Sequence, residues 1–240
     1  MTAVESELPL AYREIAPHPR LAPFVECYWF SRGAGPAFVV LPDGCIDFHF
    51  DRSARLVGAM TRPLDVDACT DRDVVAVRFR PGGAHPFVRA PLDGFTDADV
   101  ELAAIDRELG ELGRTATSER EPVMRLQHVE AWLLARLPHR REPVDASLAA
   151  SLHDGGFRVE HAAAAANVSR QFFSRAVRAR TGLPPKVLAR IVRVRAVLDD
   201  ATGASAAQLA LRHGFADQAH LARDVRDLTG CSLSHWRRSV

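Results

Sequence analysis

No apolar run in the 240-residue chain approaches the ~18 to 20 residues that a membrane span needs, so a membrane role is not expected. The first residues, MTAVESELPLAYREIAPHPR, lack the basic-then-apolar order of a secretory leader and carry acids and prolines instead, which predicts a cytoplasmic address. Cysteine is scarce: Cys27, Cys45, Cys69 and Cys231 are far apart and form no C-x-x-C pair. That spacing argues against a zinc knuckle and against a disulfide framework, and predicts reduced, mostly buried thiols. No cofactor is expected.

What is present is ordinary for a globular protein, with 47% hydrophobic and 25% charged residues, enough apolar material for one large domain or two small ones. The formal net charge of +1 conceals an asymmetry. Residues 145–240 carry 14 Lys and Arg against 8 Asp and Glu, a net of +6, which leaves −5 for residues 1–144. A basic part joined to an acidic one suggests a polyanion-binding module attached to a domain of another kind.

Up to about residue 95 the pattern is one of short strands and turns. Phe24–Phe30, Ala37–Leu41, Cys45–Phe50 and Val74–Phe79 are apolar or alternating runs, separated by Gly33-Ala34-Gly35-Pro36, Pro42-Asp43-Gly44 and Pro81-Gly82-Gly83. Such spacing predicts a small β-barrel or sandwich. The period then becomes helical. Val100, Leu102, Ile105 and Leu109 predict a helix over Asp97–Leu112, and Val123, Leu126, Leu133 and Leu137 a second over Val123–Leu137, its seam broken by Glu130. The second helix either packs on its own domain or pairs with a second subunit. The charged segment from Pro138 to Pro143 is the best domain boundary.

Beyond it everything reads as helix. An alanine-dominated run, Val159–Ala166, precedes Ser169, a good N-cap for a helix whose Phe173 and Val177 face a core and which Gly182 ends. Pro184-Pro185 opens a connecting helix that reaches Asp200. Ser205-Ala206-Ala207-Gln208 then has the form of a capping box, Asp217 caps another helix with Leu221 and Val225 inward, and Gly230 ends it. The caps Ser169 and Asp217 are 48 residues apart, and so are the stops Gly182 and Gly230. Alanine-rich hairpins also occur as plain bundle elements. A helix-turn-helix, however, sends its second helix into the major groove, and Gln and Arg are side chains that reach base edges there.

SRQFFSRAVRARTGLPP (Ser169–Pro185) and GFADQAHLARDVRDLTGCSLSHWR (Gly214–Arg237) resemble the paired helix-turn-helix domain of the AraC/XylS family of transcription regulators. The second stretch carries the family's Gly-Phe, Asp-Gln, closing Gly and final aromatic-Arg in register; Val177, Val225 and Leu233 depart from its usual residues. The resemblance covers about Asp145–Arg238. It implies base contacts from Gln171, Phe172, Ser174 and Arg175 in one unit and Gln218, Ala219, Ala222 and Arg223 in the other. Arg170, Arg178, Arg193, His220, Arg237 and Arg238 are the candidates for phosphate contacts. It further implies that one subunit reads two successive major grooves of double-stranded DNA, with the Pro185–Asp199 helix between the units, and activation rather than repression. RNA polymerase is a candidate partner, and a homodimer a candidate assembly.

LPDGCIDFHF (Leu41–Phe50) and VRFRPGGAHPF (Val77–Phe87) resemble the cupin-like sensor domains found ahead of such modules. Cys45, Asp47 and His49 would share one face of a strand, and with His85 they are the candidate pocket for a small-molecule effector. Cupin enzymes bring metal ligands in an H-x-H pair, which is absent, so neither a metal nor catalysis is expected. A DNA-repair sensor built on a zinc-bound cysteine cluster lacks its C-x-x-C, and an architectural nucleic-acid binder is ill served by an acidic half that repels phosphate. The expected architecture is α+β in two domains. Residues 1–138 form a cupin-like β-rich barrel with trailing helices, for sensing or dimerisation. Residues 144–240 form an all-α pair of helix-turn-helix units joined by a linker helix.

Overall fold

A computed structural model describes residues 12–153 and 157–239; the stretch Met1–Ala11, read above for a leader, lies outside them. The first part of the chain contributes β1 (Arg13–Ile15), β2 (Val25–Gly35), β3 (Phe38–Val40), β4 (Ile46–Phe50), β5 (Ala54–Val57), β6 (Leu64–Val66), β7 (Cys69–Phe79) and β8 (Asp99–Glu101). Six of these form an antiparallel sheet in the order β1-β2-β7-β4-β5-β8, and β3 pairs with β6 in a separate ribbon. The β-rich domain expected from the sequence is therefore an open sheet faced by a two-stranded ribbon; closure into a barrel is not seen among the described residues.

Strand alternation divides the large sheet into two faces. In β4, Ile46, Phe48 and Phe50 are buried toward one side, where Phe48 lies opposite Val77 and Ile46 opposite Phe79 of β7. That side is covered by α1 (Leu102–Ile105), α2 (Arg107–Ser118) and α3 (Pro122–Ala135). Leu109, Leu112, Val129 and Leu133 fill the layer between, and Phe48, Phe79, Phe87 and Trp132 form a chain of ring contacts 4.8 to 6.4 Å apart. Burying each such side chain stabilises by about 1.5 to 3 kcal/mol, so this layer is the main core of the strand domain. Asp47 and His49 alternate to the opposite side, with Trp29, Ser31 and Arg78.

Two helix predictions need correction. Asp97–Leu112 is not one helix: Asp99–Glu101 adds β8 to the sheet edge, and the chain breaks again at Asp106, whose extended backbone and carboxylate cap α2 by accepting from Leu109 N at 2.8 Å. Edge pairing with β5 overrode the helical spacing of Val100. In α3 the buried face is Arg125, Val129 and Leu133, while Val123 is 63% exposed. The buried Arg125 explains the shifted seam: Nη1 donates to Phe50 O at 3.0 Å and Nη2 to Glu119 O at 3.0 Å.

The remainder is helical: α4 (Pro143–His153), α5 (Val159–Ala165), α6 (Arg170–Thr181), α7 (Pro185–Leu198), α8 (Ala206–Arg212), α9 (Gln218–Thr229) and α10 (Leu233–Ser239). Alanines 162, 163 and 166 are buried, which lets α5 lie close to its neighbours. Ile191, Val194 and Val197 of α7 and Leu221, Val225 and Leu228 of α9 complete this second core. The two parts are in direct contact. A Cβ added at Gly44 would meet Leu188 Cδ1 of α7 at 2.9 Å, and Thr96 Oγ1 donates to Gly182 O at the end of α6. Among the described residues no helix is long and apolar enough to cross a membrane.

Candidate nucleic-acid interface and ligand cavity

Helices α6 and α9 are built alike. Ser169 Oγ accepts from Phe172 N at 3.2 Å, and Asp217 Oδ1 accepts from His220 N at 2.6 Å, so each helix starts at the capping residue expected. Gly182 (φ 80°) and Gly230 (φ 74°) end them in the left-handed conformation. A threonine before each glycine, not recognised in the sequence, extends the 48-residue repeat. Thr181 Oγ1 donates to Val177 O and accepts from Leu183 N, and Thr229 Oγ1 does the same with Val225 O and Cys231 N. Ahead of α9, Ser205 and Gln208 form the full capping box of α8. The turns differ by one residue: the left-handed positions Asn167 and Gly214 are only 47 apart, so the second turn is longer.

With Phe173 and Val177, and Leu221 and Val225, fully buried, the opposite faces of both helices are open. Gln171, Arg175, Gln218, Ala219, Ala222 and Arg223 are exposed, Phe172 is 46% exposed and Ser174 half-buried. Among the described residues Arg175, Arg223 and Arg238 form no ion pair. The other phosphate candidates are engaged within the protein. Arg178 Nε lies 3.0 Å from Asp93 Oδ2 and Arg170 Nη1 3.6 Å from Glu160 Oε1. Arg193 donates to Gly214 O at 3.3 Å and stands over the Phe215 ring, and Arg237 donates to Ala204 O at 2.8 Å. His220 Nε2 is 3.3 Å from Asp224, a buried carboxylate that Arg190 of α7 also holds at 3.1 Å. Arg190 thus fixes α9 to the connecting helix, a role that the arginine spacing alone did not distinguish.

On the open side of the large sheet, the β3–β6 ribbon and the strands enclose a cavity of about 270 Å³. Cys45, Asp47 and His49 line it together, as their shared strand face requires. His85 does not: it sits in the 3-10 turn His85–Phe87, where burial and the nearby Arg180 both lower its pKa, on the side facing α4 and α6. The wall is chiefly apolar, with Phe38, Val40, Met60, Leu64, Val66 and Val74. Its polar end centres on Asp47, directly opposite Arg78 in the β4–β7 ladder. Asp47 Oδ2 accepts from Arg78 Nη2 at 3.0 Å and from Trp29 Nε1 at 3.0 Å, with His49 Nε2 3.7 Å away. Burial alone would raise the Asp47 pKa, but the Arg78 guanidinium and His49 outweigh it and hold the carboxyl at about 2. Burial pushes the Cys45 thiol well above its ordinary range, so it stays uncharged. Trp29, Ser31, Arg78 and Arg195 were missed as lining residues; a lone arginine inside the apolar run VVAVRF was the one available signal.

Residues 162–239 match a family described as a helix-turn-helix domain. The C-terminal domain is of the AraC type. Residues 13–101, from β1 through β8, match a domain of unknown function, DUF6597. With its AraC-type helices the chain is a DNA-binding transcription regulator. No curated protein is significantly similar to it. Superposed on a crystal structure of ToxT from Vibrio cholerae, the chain is 8% identical over 96% of its length and 97% of that chain, with a TM-score of 0.44. A second ToxT structure, from Vibrio cholerae O395, gives 8% identity over 88% and 97% with the same TM-score.

Proposed function

We propose that the chain is a one-component regulator in which residues 144–240 read DNA and residues 1–138 respond to a small molecule. One subunit would place α6 and α9 in two successive major grooves. Gln171, Phe172, Ser174 and Arg175 would meet bases in one, and Gln218, Ala219, Ala222 and Arg223 in the other. The observation that carries this is the repeated pair of capped helices, 48 residues apart, whose exposed faces each hold a Gln and an Arg that forms no ion pair among the described residues. Such an arginine is free to make the bidentate contact with guanine that is the commonest specific pairing. Arg238 is the readiest phosphate contact; Arg170, Arg178, Arg193, His220 and Arg237 would have to exchange internal partners first.

The cavity with Cys45, Asp47 and His49 is the proposed effector site, supported by its apolar wall and its small set of convergent polar groups. Effector binding there, or self-association, would alter how the two units engage their site, with activation the expected sign, a cytoplasmic location and RNA polymerase a candidate partner. The deciding experiment is selection of bound sequences from random duplexes by the full chain at near-physiological salt. Enrichment of a motif spanning two adjacent major grooves is expected, and its copy number reports the working oligomer. Enrichment confined to one groove would end the two-groove reading.

A further inference from the structure

Helices α6 and α9 differ sharply in charge. α6 carries four arginines (Arg170, Arg175, Arg178 and Arg180) and no acid, whereas α9 carries two arginines and two aspartates. Asp224 and Asp227 stand 48 residues after Ala176 and Ala179, so the repeat places acids in the second unit where the first has alanine. Asp227 follows Arg223 by four residues, the spacing at which an arginine and an aspartate meet on a helix surface. By its own sequence α9 would therefore pair its exposed arginine internally and set negative charge beside the phosphates of a bound duplex.

The structure holds both aspartates elsewhere. Arg190 of α7 donates through Nη2 to Asp227 Oδ2 at 2.8 Å, and its Nε lies 3.1 Å from Asp224 Oδ1. A planar guanidinium offers five donors in a fixed fork, so one arginine reaches two carboxylates at once. Asp224 is buried and has His220 Nε2 3.3 Å away as well. Arg223 is left exposed and forms no ion pair among the described residues. The Asp227 side chain is 62% exposed, and an ion pair that open adds little to stability. As a structural tie the Arg190–Asp227 bond is therefore weak; its consequence lies in what it withholds from Arg223.

Building on the reading of α9 as a DNA-contacting helix, we propose that Arg190 is a positioning residue for that contact. By occupying Asp227 and Asp224 it keeps the Arg223 guanidinium open to a guanine in the major groove, and it acts without touching the DNA. Arg190 supplies from α7 the positive charge that α9 lacks and that α6 has from its own sequence. Loss of Arg190 hands Asp227 to Arg223. A bidentate contact with guanine then has to break an ion pair before it forms.

The test is the specificity ratio of the full chain: affinity for the duplex that wild type enriches from a random pool, divided by affinity for a random duplex. A change in net charge alone shifts both affinities together and leaves the ratio where it was. The ratio is measured for wild type, Arg223→Ala, Arg190→Met and the double variant Arg190→Met with Asp227→Asn. Arg190→Met is expected to lower it about tenfold, within the range of one bidentate contact, and the added Asp227→Asn to restore it to within about twofold of wild type. If circular dichroism shows Arg190→Met misfolded, the same comparison is made in an Asp224→Asn background, where no buried carboxylate is stranded. A ratio that stays low in the double variant makes Arg190 a tie between helices and overturns the proposal. So does a ratio that Arg190→Met leaves unchanged. In both cases the reading of α9 stands, provided that Arg223→Ala lowers the ratio. If Arg223→Ala does not, or no duplex is enriched, α9 does not read DNA through that arginine and both readings fall.

Discussion

Arg178 Nε on α6 lies 3.0 Å from Asp93 Oδ2 in the 3-10 turn Leu92–Phe95, so α6, the first of the two helices proposed to read DNA, is held at its C-terminal end by the strand domain. The neighbouring bond from Thr96 Oγ1 to Gly182 O strengthens the same junction. The Arg178 side chain is 60% exposed, and an ion pair that open contributes at most about 1 kcal/mol to stability. Its larger consequence concerns DNA: while Asp93 holds Arg178, the guanidinium is not available to a phosphate.

Asp93→Ala is therefore expected to leave the fold within about 1 kcal/mol of wild type and to strengthen non-specific DNA binding. The plot of log affinity against log salt should steepen by about one unit, the signature of one added phosphate contact. Filter binding to a random duplex over a range of salt measures it. An unchanged slope would remove Arg178 from the phosphate-contacting set.

Arg175→Ala and Arg223→Ala should each lower affinity for a selected site by about 1 to 3 kcal/mol and relax preference at one base pair. Neither residue is in an ion pair among the described residues, so melting temperatures should barely move. If both variants keep full specific affinity, the outward faces of α6 and α9 are not the reading surface.

Gly182→Ala and Gly230→Ala separate backbone strain from packing. Both glycines have nearly the same positive φ, 80° and 74°, so an alanine costs about 1 kcal/mol at either from conformation alone. A Cβ at Gly230 meets nothing within 4 Å, whereas at Gly182 it meets Leu92 O at 3.1 Å. Urea unfolding should show the larger loss at Gly182. Equal losses would mean that the junction with the strand domain yields without cost.

Asp47 gives a pH test. Its carboxyl stands at about 2 against an ordinary 3.8, because Arg78 and His49 overcome the effect of burial. A depressed carboxylate stabilises the fold fully above the unfolded value and loses that contribution as pH falls through the folded one. Asp47→Asn should cost about 2 to 3 kcal/mol at neutral pH, and the gap to wild type should narrow between about pH 4 and pH 2. A gap that stays constant over that window would mean the Asp47–Arg78 pair does not form.

The C-terminal helices were legible in the sequence because local chemistry determines them. Ser169, Asp217 and Ser205 satisfy backbone N–H groups within three residues of themselves, and Gly182 and Gly230 take a conformation that other residues avoid, so caps and stops show in a linear pattern. Strand alternation likewise placed Cys45, Asp47 and His49 on one face. What lay outside the sequence was decided by long-range pairing. Asp99–Glu101 became an edge strand because β5 offered it a ladder, and Arg125 took a core position because Phe50 O and Glu119 O were there to accept from it. His85 left the cavity, while Trp29, Ser31 and Arg78 entered it through the registers of β2, β7 and β4. Arg195 comes to that cavity from 117 residues beyond Arg78, by the docking of α7 on the strand domain. Periodicity describes which way a side chain faces on its own element; only tertiary packing decides what lies opposite.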